Sequence, residues 1–72
     1  TKVEFDLLWL LGKEKGNVLS RDKILNELWG FDYDGDTRIV DVHISKLRNK
    51  LTQTKVEIVS LRGVGYRCEV SE

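Results

Sequence analysis

Arg38, Lys46, Arg48 and Lys50 fall within one short stretch of the chain and share it with a single acid, Asp41. The stretch is Thr37–Leu51, TRIVDVHISKLRNKL. Val40, Ile44, Leu47 and Leu51 recur there at spacings of four, three and four, the period of a helix stripe that faces a core. On the opposite side of such a helix lie Arg38, Val42, Ser45, Lys46 and Asn49, with Ile39 at the edge. Two cations among small polar groups and a solvent-facing valine cannot break bonds. They can recognise a polyanion: cations meet phosphates, and short side chains reach base edges in a DNA major groove. A solvated helix face has the same composition, so this helix alone does not decide between the two.

Other reactive residue types give less. His43 is the only histidine and Cys68 the only cysteine, so neither a metal-ligand set nor an internal disulfide can be assembled. His43 lies beside the core stripe, which suits a structural or phosphate-contact role. Asp32, Asp34 and Asp36 open like a calcium loop, but the glycine, Gly35, comes two places early and the twelfth position would be His43. An acidic protein-contact loop or a solvated one fits better. Arg62-Gly63-Val64-Gly65 is too short for a phosphate-cradling loop. Trp9 and Cys68 read as packing residues, and Trp29, at a helix end, as core with a possible second role. No nucleophile, base and orienting group come together, so no enzyme, cofactor or metal is expected.

Composition is compatible with binding. Seventy-two residues, 40% hydrophobic and 33% charged, make one small globular domain. The longest apolar run, Leu7–Leu11, is far short of the ~18 residues that a membrane span needs, and a lone cysteine suits the cytoplasm. The net charge is zero but unevenly spread. Residues 1–36 hold five cations and eight acids, a net of −3; residues 37–72 hold seven cations and four acids, a net of +3. A polarised domain can attract a polyanion locally without net charge.

The elements that would position the 37–51 helix follow in order. Thr1 and Glu4 have capping-box spacing, which predicts a helix from Thr1 to about Lys15, stopped by Gly16 and Asn17. Val3, Phe5 and Leu7–Leu11 cover most of its circumference, so it expects neighbours on two sides. Val18-Leu19 suits a short edge strand, and Ser20 caps a second helix that carries Ile24, Leu25, Leu28 and Trp29 and ends at Gly30. The acidic loop Phe31–Asp36, with two exposed-looking aromatics, leads to the third helix. Glu57–Leu61 and Gly65–Val70 predict a hairpin with Arg62 at its tip. The expected fold is mainly α with a C-terminal β-hairpin, a winged helix-turn-helix.

Three segments carry a resemblance: T-x-x-E-F-x-L-L followed by V-L-S-R-D-x-I-L-x-x-L-W, then D-T-R-I-V-D-V-H-I-S-K-L-R-x-K-L, then I-V-S-L-R-G-V-G-Y-R. Together they span nearly the whole chain, which resembles the C-terminal effector domain of OmpR/PhoB-type response regulators. That family opens with a four-stranded antiparallel sheet packed on the first helix, whereas this sequence starts at the helix and reads as an N-terminally truncated domain, residues 1–72. The resemblance implies sequence-specific binding of double-stranded DNA in the bacterial cytoplasm, two copies on direct repeats, and a phospho-accepting receiver domain upstream. It implies Arg38, Ile39, Val42, His43, Ser45, Lys46 and Arg48 at or near DNA, with Lys46 and Ser45 at positions often basic in the family. By the same resemblance Arg62 reaches the minor groove, while Arg21, Trp29, Ser60 and Tyr66 contact phosphates. The loop Phe31, Asp32, Tyr33, Asp34, Gly35 and Asp36 matches a segment that touches RNA polymerase. The alternatives are a protein–protein winged helix anchored by Phe31 and Tyr33, and self-association through the first helix, tested by making Leu7 or Leu10 polar.

Overall fold

The computed structural model describes residues 1–71. Three helices, α1 (Lys2–Lys13), α2 (Arg21–Trp29) and α3 (Arg38–Lys50), precede an antiparallel hairpin of β1 (Val56–Leu61) and β2 (Gly65–Val70). This is the expected winged-helix order.

The capping box forms at the start of α1: the Glu4 amide donates to Thr1 Oγ1 at 3.3 Å, and the Glu4 carboxylate reaches back to the Thr1 nitrogen. The helix ends at Lys13, about two residues before the expected stop, and the chain turns through Gly16 at φ +89°. The Gly16 amide then donates to the Cys68 carbonyl at 3.1 Å, so the turn is also tied to the hairpin. Leu7, Leu10 and Leu11 enter the core, while Phe5 and Trp9 remain 68% and 67% exposed. The rest of the chain thus covers one apolar face of α1 and leaves Phe5, Leu8 and Trp9 along the other. Leu7 and Leu10 are core residues, so a polar substitution there is expected to destabilise the domain and does not isolate self-association.

Glu4 is buried among these leucines, a placement that helical periodicity did not indicate. It accepts a charge-assisted hydrogen bond from Lys50 Nζ at the far end of α3. A buried carboxylate needs such a partner, and the pairing fixes the start of α1 against the end of α3.

Ser20 Oγ caps α2 by accepting from the Lys23 amide at 3.1 Å, and Gly30, at φ +98°, closes the helix. Leu19 and Tyr66 exchange backbone hydrogen bonds of 2.8 and 2.9 Å, which makes Leu19 the short edge strand expected beside the hairpin. In α3, Val40, Ile44 and Leu47 are buried and Leu51 packs on the core's rim. The hairpin pairs Ile58 with Cys68 and Ser60 with Tyr66, and Ile58, Tyr66 and Cys68 face the core. Val56 extends β1 one residue beyond the sequence expectation.

Two glycines have opposite tolerances. A Cβ at Gly65 would run into the Leu19 carbonyl, because the hairpin crosses the edge strand there. Nothing lies within 4 Å of a Cβ at Gly12, inside α1. Gly12→Ala is therefore expected to stabilise by roughly 0.5–1 kcal/mol, and Gly65→Ala to destabilise, as read by urea unfolding; a stabilised Gly65→Ala would contradict the close crossing. Acid should also act through Glu4. The Lys50 hydrogen bond holds its carboxyl below the ordinary value, so its stabilisation is full above the unfolded carboxylate range and is lost as pH falls through the depressed value. The Tm difference between wild type and Glu4→Gln should shrink from neutral pH to acid, and a pH-independent difference would rule this out.

Candidate nucleic-acid interface

Each flank of α3 is engaged differently. Its buried stripe faces the core. On one flank, two turns apart, Asp41 and Arg48 meet the hairpin. Arg48 donates to the Ile58 carbonyl from Nε at 3.0 Å and Nη2 at 2.8 Å, and to Ser60 Oγ at 2.6 Å, with its guanidinium 5.8 Å from the Tyr66 ring centre. Asp41 Oδ1 accepts from the Tyr66 hydroxyl and, at 3.0 Å, from Arg21 Nε of α2. On the other flank His43 Nδ1 lies 2.9 Å from the Ile39 carbonyl, which can only accept, so Nδ1 carries the proton. The His43 ring stands edge-on to Trp29, with centroids 5.5 Å apart.

What remains is the outward face, where Val42, Ser45, Lys46 and Asn49 are exposed. Lys46 has no ion-pair partner among the described residues, and the same holds for Arg62 on the hairpin tip. Arg38, at the start of α3, is exposed but paired: its Nε and Nη2 donate to Asp36 Oδ2 at 2.9 and 2.6 Å. Asp36 Oδ1 accepts from the Arg38 amide at 2.8 Å, so Asp36 caps the helix and Thr37 makes no side-chain cap. Held by the guanidinium and that amide, the Asp36 carboxyl falls to about 2. A cleft of about 590 Å³ lies between the hairpin tip and the front of α2, with Arg21, Thr37, Ser60 and Arg62 on its walls.

The sequence-derived site residues therefore separate into groups. Arg21, Arg38, Val42, Ser45, Lys46, Ser60 and Arg62 are exposed, and Ile39, His43 and Trp29 are half-buried. Tyr66 departs from expectation. It is 7% exposed, with its hydroxyl committed to Asp41, and burial together with that carboxylate raises its pKa. Arg48 likewise spends its donors inside the domain. In the loop, Tyr33 is half-buried, 6.2 Å from the Trp29 ring, and folds over Gly35, whereas Phe31 is 89% exposed. Only Phe31 of the two aromatics is thus an exposed anchor. Among the described residues no three potential metal ligands converge, and Asp36 serves the helix and Arg38. Sequence reasoning passed over Asp41; its signal was a lone acid seven residues before Arg48, on the same helix flank.

The family described as "Transcriptional regulatory protein, C terminal" matches residues 1–68. The chain belongs to this family. The OmpR/PhoB-type resemblance is thereby borne out. The chain is 51% identical over 72 residues to the alkaline phosphatase synthesis transcriptional regulatory protein PhoP of Bacillus subtilis, taking in 96% of this chain and 30% of that protein. It thus spans about 30% of the length of the first curated relatives it matches. Among solved structures, the DNA-binding domain of Bacillus subtilis CssR superposes with a TM-score of 0.83 at 46% identity, over 94% of this chain and 75% of that one. The Klebsiella pneumoniae RstA DNA-binding domain, solved in complex with the RstA box, gives 0.80 at 40% identity, over 93% and 69%. These matches agree with three helices and a hairpin wing, and the family is not enzymatic.

The Asp36–Arg38 pair is directly measurable. By carboxyl NMR titration Asp36 should titrate near 2, and Arg38→Ala should return it towards 3.8. An unchanged value in the variant would show that the guanidinium is not the cause.

Proposed function

We propose that this chain is the sequence-specific, double-stranded-DNA-binding effector domain of a two-component response regulator, with α3 in the major groove and the hairpin wing in the adjacent minor groove. The carrying observation is that Lys46 and Arg62, exposed and without acidic partners among the described residues, occur on the two elements that a winged helix offers to DNA. A family member of the same fold, RstA, is solved with its box.

In this reading Lys46, Ile39, Val42 and Ser45 read base edges. Valine and isoleucine favour thymine methyls, so the half-site contains T. Arg62 suits a narrow A·T-rich minor groove, where negative potential is enhanced. Arg38 and Arg21 are exposed in their pairs with Asp36 and Asp41, and each can exchange a carboxylate for a phosphate. Trp29, His43 and Ser60 border the backbone contacts, whereas Arg48 and Tyr66 act from within, as supports. The further partners follow from the family resemblance: two copies on direct repeats, RNA polymerase at Phe31–Asp36, a receiver domain upstream, and a bacterial cytoplasmic setting. The same resemblance assigns the Phe5–Leu8–Trp9 face of α1 to a preceding sheet within one domain. No helix among the described residues is long and apolar enough to cross a membrane.

A second reading, a protein-contact surface, is favoured by one observation, the exposure of Phe31. It is compatible with DNA binding and separable from it. Charge reversal at Lys46 and Arg62 should abolish DNA binding and leave a Phe31-dependent contact intact.

Titration with random-sequence duplex pools at two salt concentrations, with sequencing of the bound fraction, tests the main reading. Neutralising roughly three to four phosphates per copy gives a slope of log affinity on log salt of about −3, with enrichment of a short T-containing motif. A slope near zero would sink the mechanism; salt-sensitive binding without enrichment would remove direct readout.

A further inference from the structure

Three DNA-facing elements meet at one carboxylate. Asp41 of α3 accepts the Tyr66 hydroxyl of β2 and Arg21 Nε of α2 on the same oxygen, Oδ1. Asp41 is also the only acid on α3. An acid on a helix that approaches phosphates opposes binding by simple repulsion, so any favourable effect it has must come through what it holds.

What it holds is the root of the wing. The tip loop Arg62–Val64 is followed by Gly65 and then Tyr66, and Arg62 and Tyr66 line the same cleft beside α2. Tyr66 is buried at its ring and fixed in its backbone by the Leu19 bridge. That bridge and the Gly16–Cys68 backbone hydrogen bond tie β2 to the segment between α1 and α2, and neither reaches α3. Among the described residues, two α3 side chains hydrogen-bond the hairpin. Arg48 grips β1 at Ile58 and Ser60, and Asp41 grips β2 at Tyr66. Two attachments at separate heights along α3 fix an orientation, whereas one would leave a pivot. The Arg21 contact has a different part: it offsets the charge of Asp41 and leaves its directional bond to the hydroxyl in place.

We propose that Asp41 is a positioning residue for DNA recognition: it sets the angle between the reading face of α3 and the Arg62 tip, and so determines base preference on the wing side of the half-site. This inference rests on the reading in which the wing enters the minor groove. It concerns selectivity more than affinity, because losing Asp41 also removes a repulsive charge and releases Arg21 to phosphate.

The test is sequencing of duplexes bound by wild type and by Asp41→Ala, Asp41→Asn, Tyr66→Phe and Arg62→Ala, each shown to be folded by circular dichroism. Asp41→Ala and Tyr66→Phe should take the wing-side A·T preference from the roughly five-fold or more of a recognised base pair towards unity, and leave the preferences read by α3 in place. Asp41→Asn keeps an oxygen acceptor for the hydroxyl and should retain the wing-side preference. The double variant Asp41→Ala/Tyr66→Phe should lose no more than either single one, since both break one contact. If Arg62→Ala leaves the wing-side preference at its wild-type value, the wing does not read DNA and the underlying reading fails. If Arg62→Ala erases that preference while Asp41→Ala and Tyr66→Phe keep it, the wing reads DNA and the role of Asp41 is overturned. A uniform loss at all positions would make Asp41 merely structural and would equally overturn the proposal. Should Asp41→Ala not fold, Tyr66→Phe, which removes only a hydroxyl, decides the matter.

Discussion

α3 is gripped on three sides, and its fourth side faces outward for that reason. Val40, Ile44 and Leu47 are all but removed from solvent. At roughly 1.5–3 kcal/mol per fully buried aliphatic side chain, this stripe fixes the helix's rotation. Turning the helix by one residue would carry Asp41 and Ser45 into the core, an expensive exchange for polar groups without partners there. The flanks then add directional contacts, Asp41 and Arg48 towards the hairpin and Lys50 towards Glu4. Val42, Ser45, Lys46 and Asn49 are left as the exposed face by this arrangement, with no further device needed.

The charges sort by how firmly they are held. Arg48 is half-buried and gives its donors to a carbonyl and a hydroxyl, groups that a phosphate cannot displace without exposing an unsatisfied backbone acceptor. Arg21 and Arg38 sit in exposed ion pairs with Asp41 and Asp36. Exposed pairs contribute typically ~0–1 kcal/mol, so exchanging the carboxylate for a phosphate costs little, and until then the pair keeps the guanidinium ordered. A chain of zero net charge can thus present cations to DNA: some acids cap helices or pair with cations at the rim, and the outward face keeps Lys46 clear of them. Asp36 is ionised near neutral pH, as any aspartate well above its pKa is, so its competition for Arg38 persists there.

The fold was largely legible because its signals are local. The Thr1–Glu4 box, the Ser20 cap, Gly30 and the stripe of α3 each follow from residue type and spacing. The single-residue strand at Leu19 was readable because Val18-Leu19 is too short for anything else. The outward face of α3 followed from the same periodicity that located its core stripe. What spacing could not supply were contacts between distant segments. Glu4 looked like a capping residue only, since nothing near it in sequence announces Lys50. Tyr66 and Arg21 matched phosphate-contacting positions by resemblance, but the carboxylate they share lies 25 and 20 residues away along the chain. The crossing at Gly65 is likewise tertiary, because the obstacle to a side chain there is a backbone carbonyl from before α2.

The hairpin explains why polar contacts at its root matter so much. A two-stranded ribbon is marginal by itself, and this one sends only Ile58, Tyr66 and Cys68 into the core. Apolar packing is non-directional, so three such contacts can hold the ribbon down without fixing its tilt. The Leu19 bridge and the Gly16–Cys68 hydrogen bond restrain one edge, and any tilt about that edge would move the Arg62 tip. A mobile arginine would still find phosphates, which are everywhere along a duplex. It would find a particular groove position only by giving up that freedom on binding, at a cost that subtracts from selectivity. In the proposed reading, hydrogen bonds of fixed direction, from Arg48 on one strand and Asp41 on the other, remove that freedom before DNA arrives. An acid beside the face proposed to meet DNA is then consistent with the electrostatics: it would weaken attraction to every duplex alike, while the geometry proposed for it would favour only the sequences that fit.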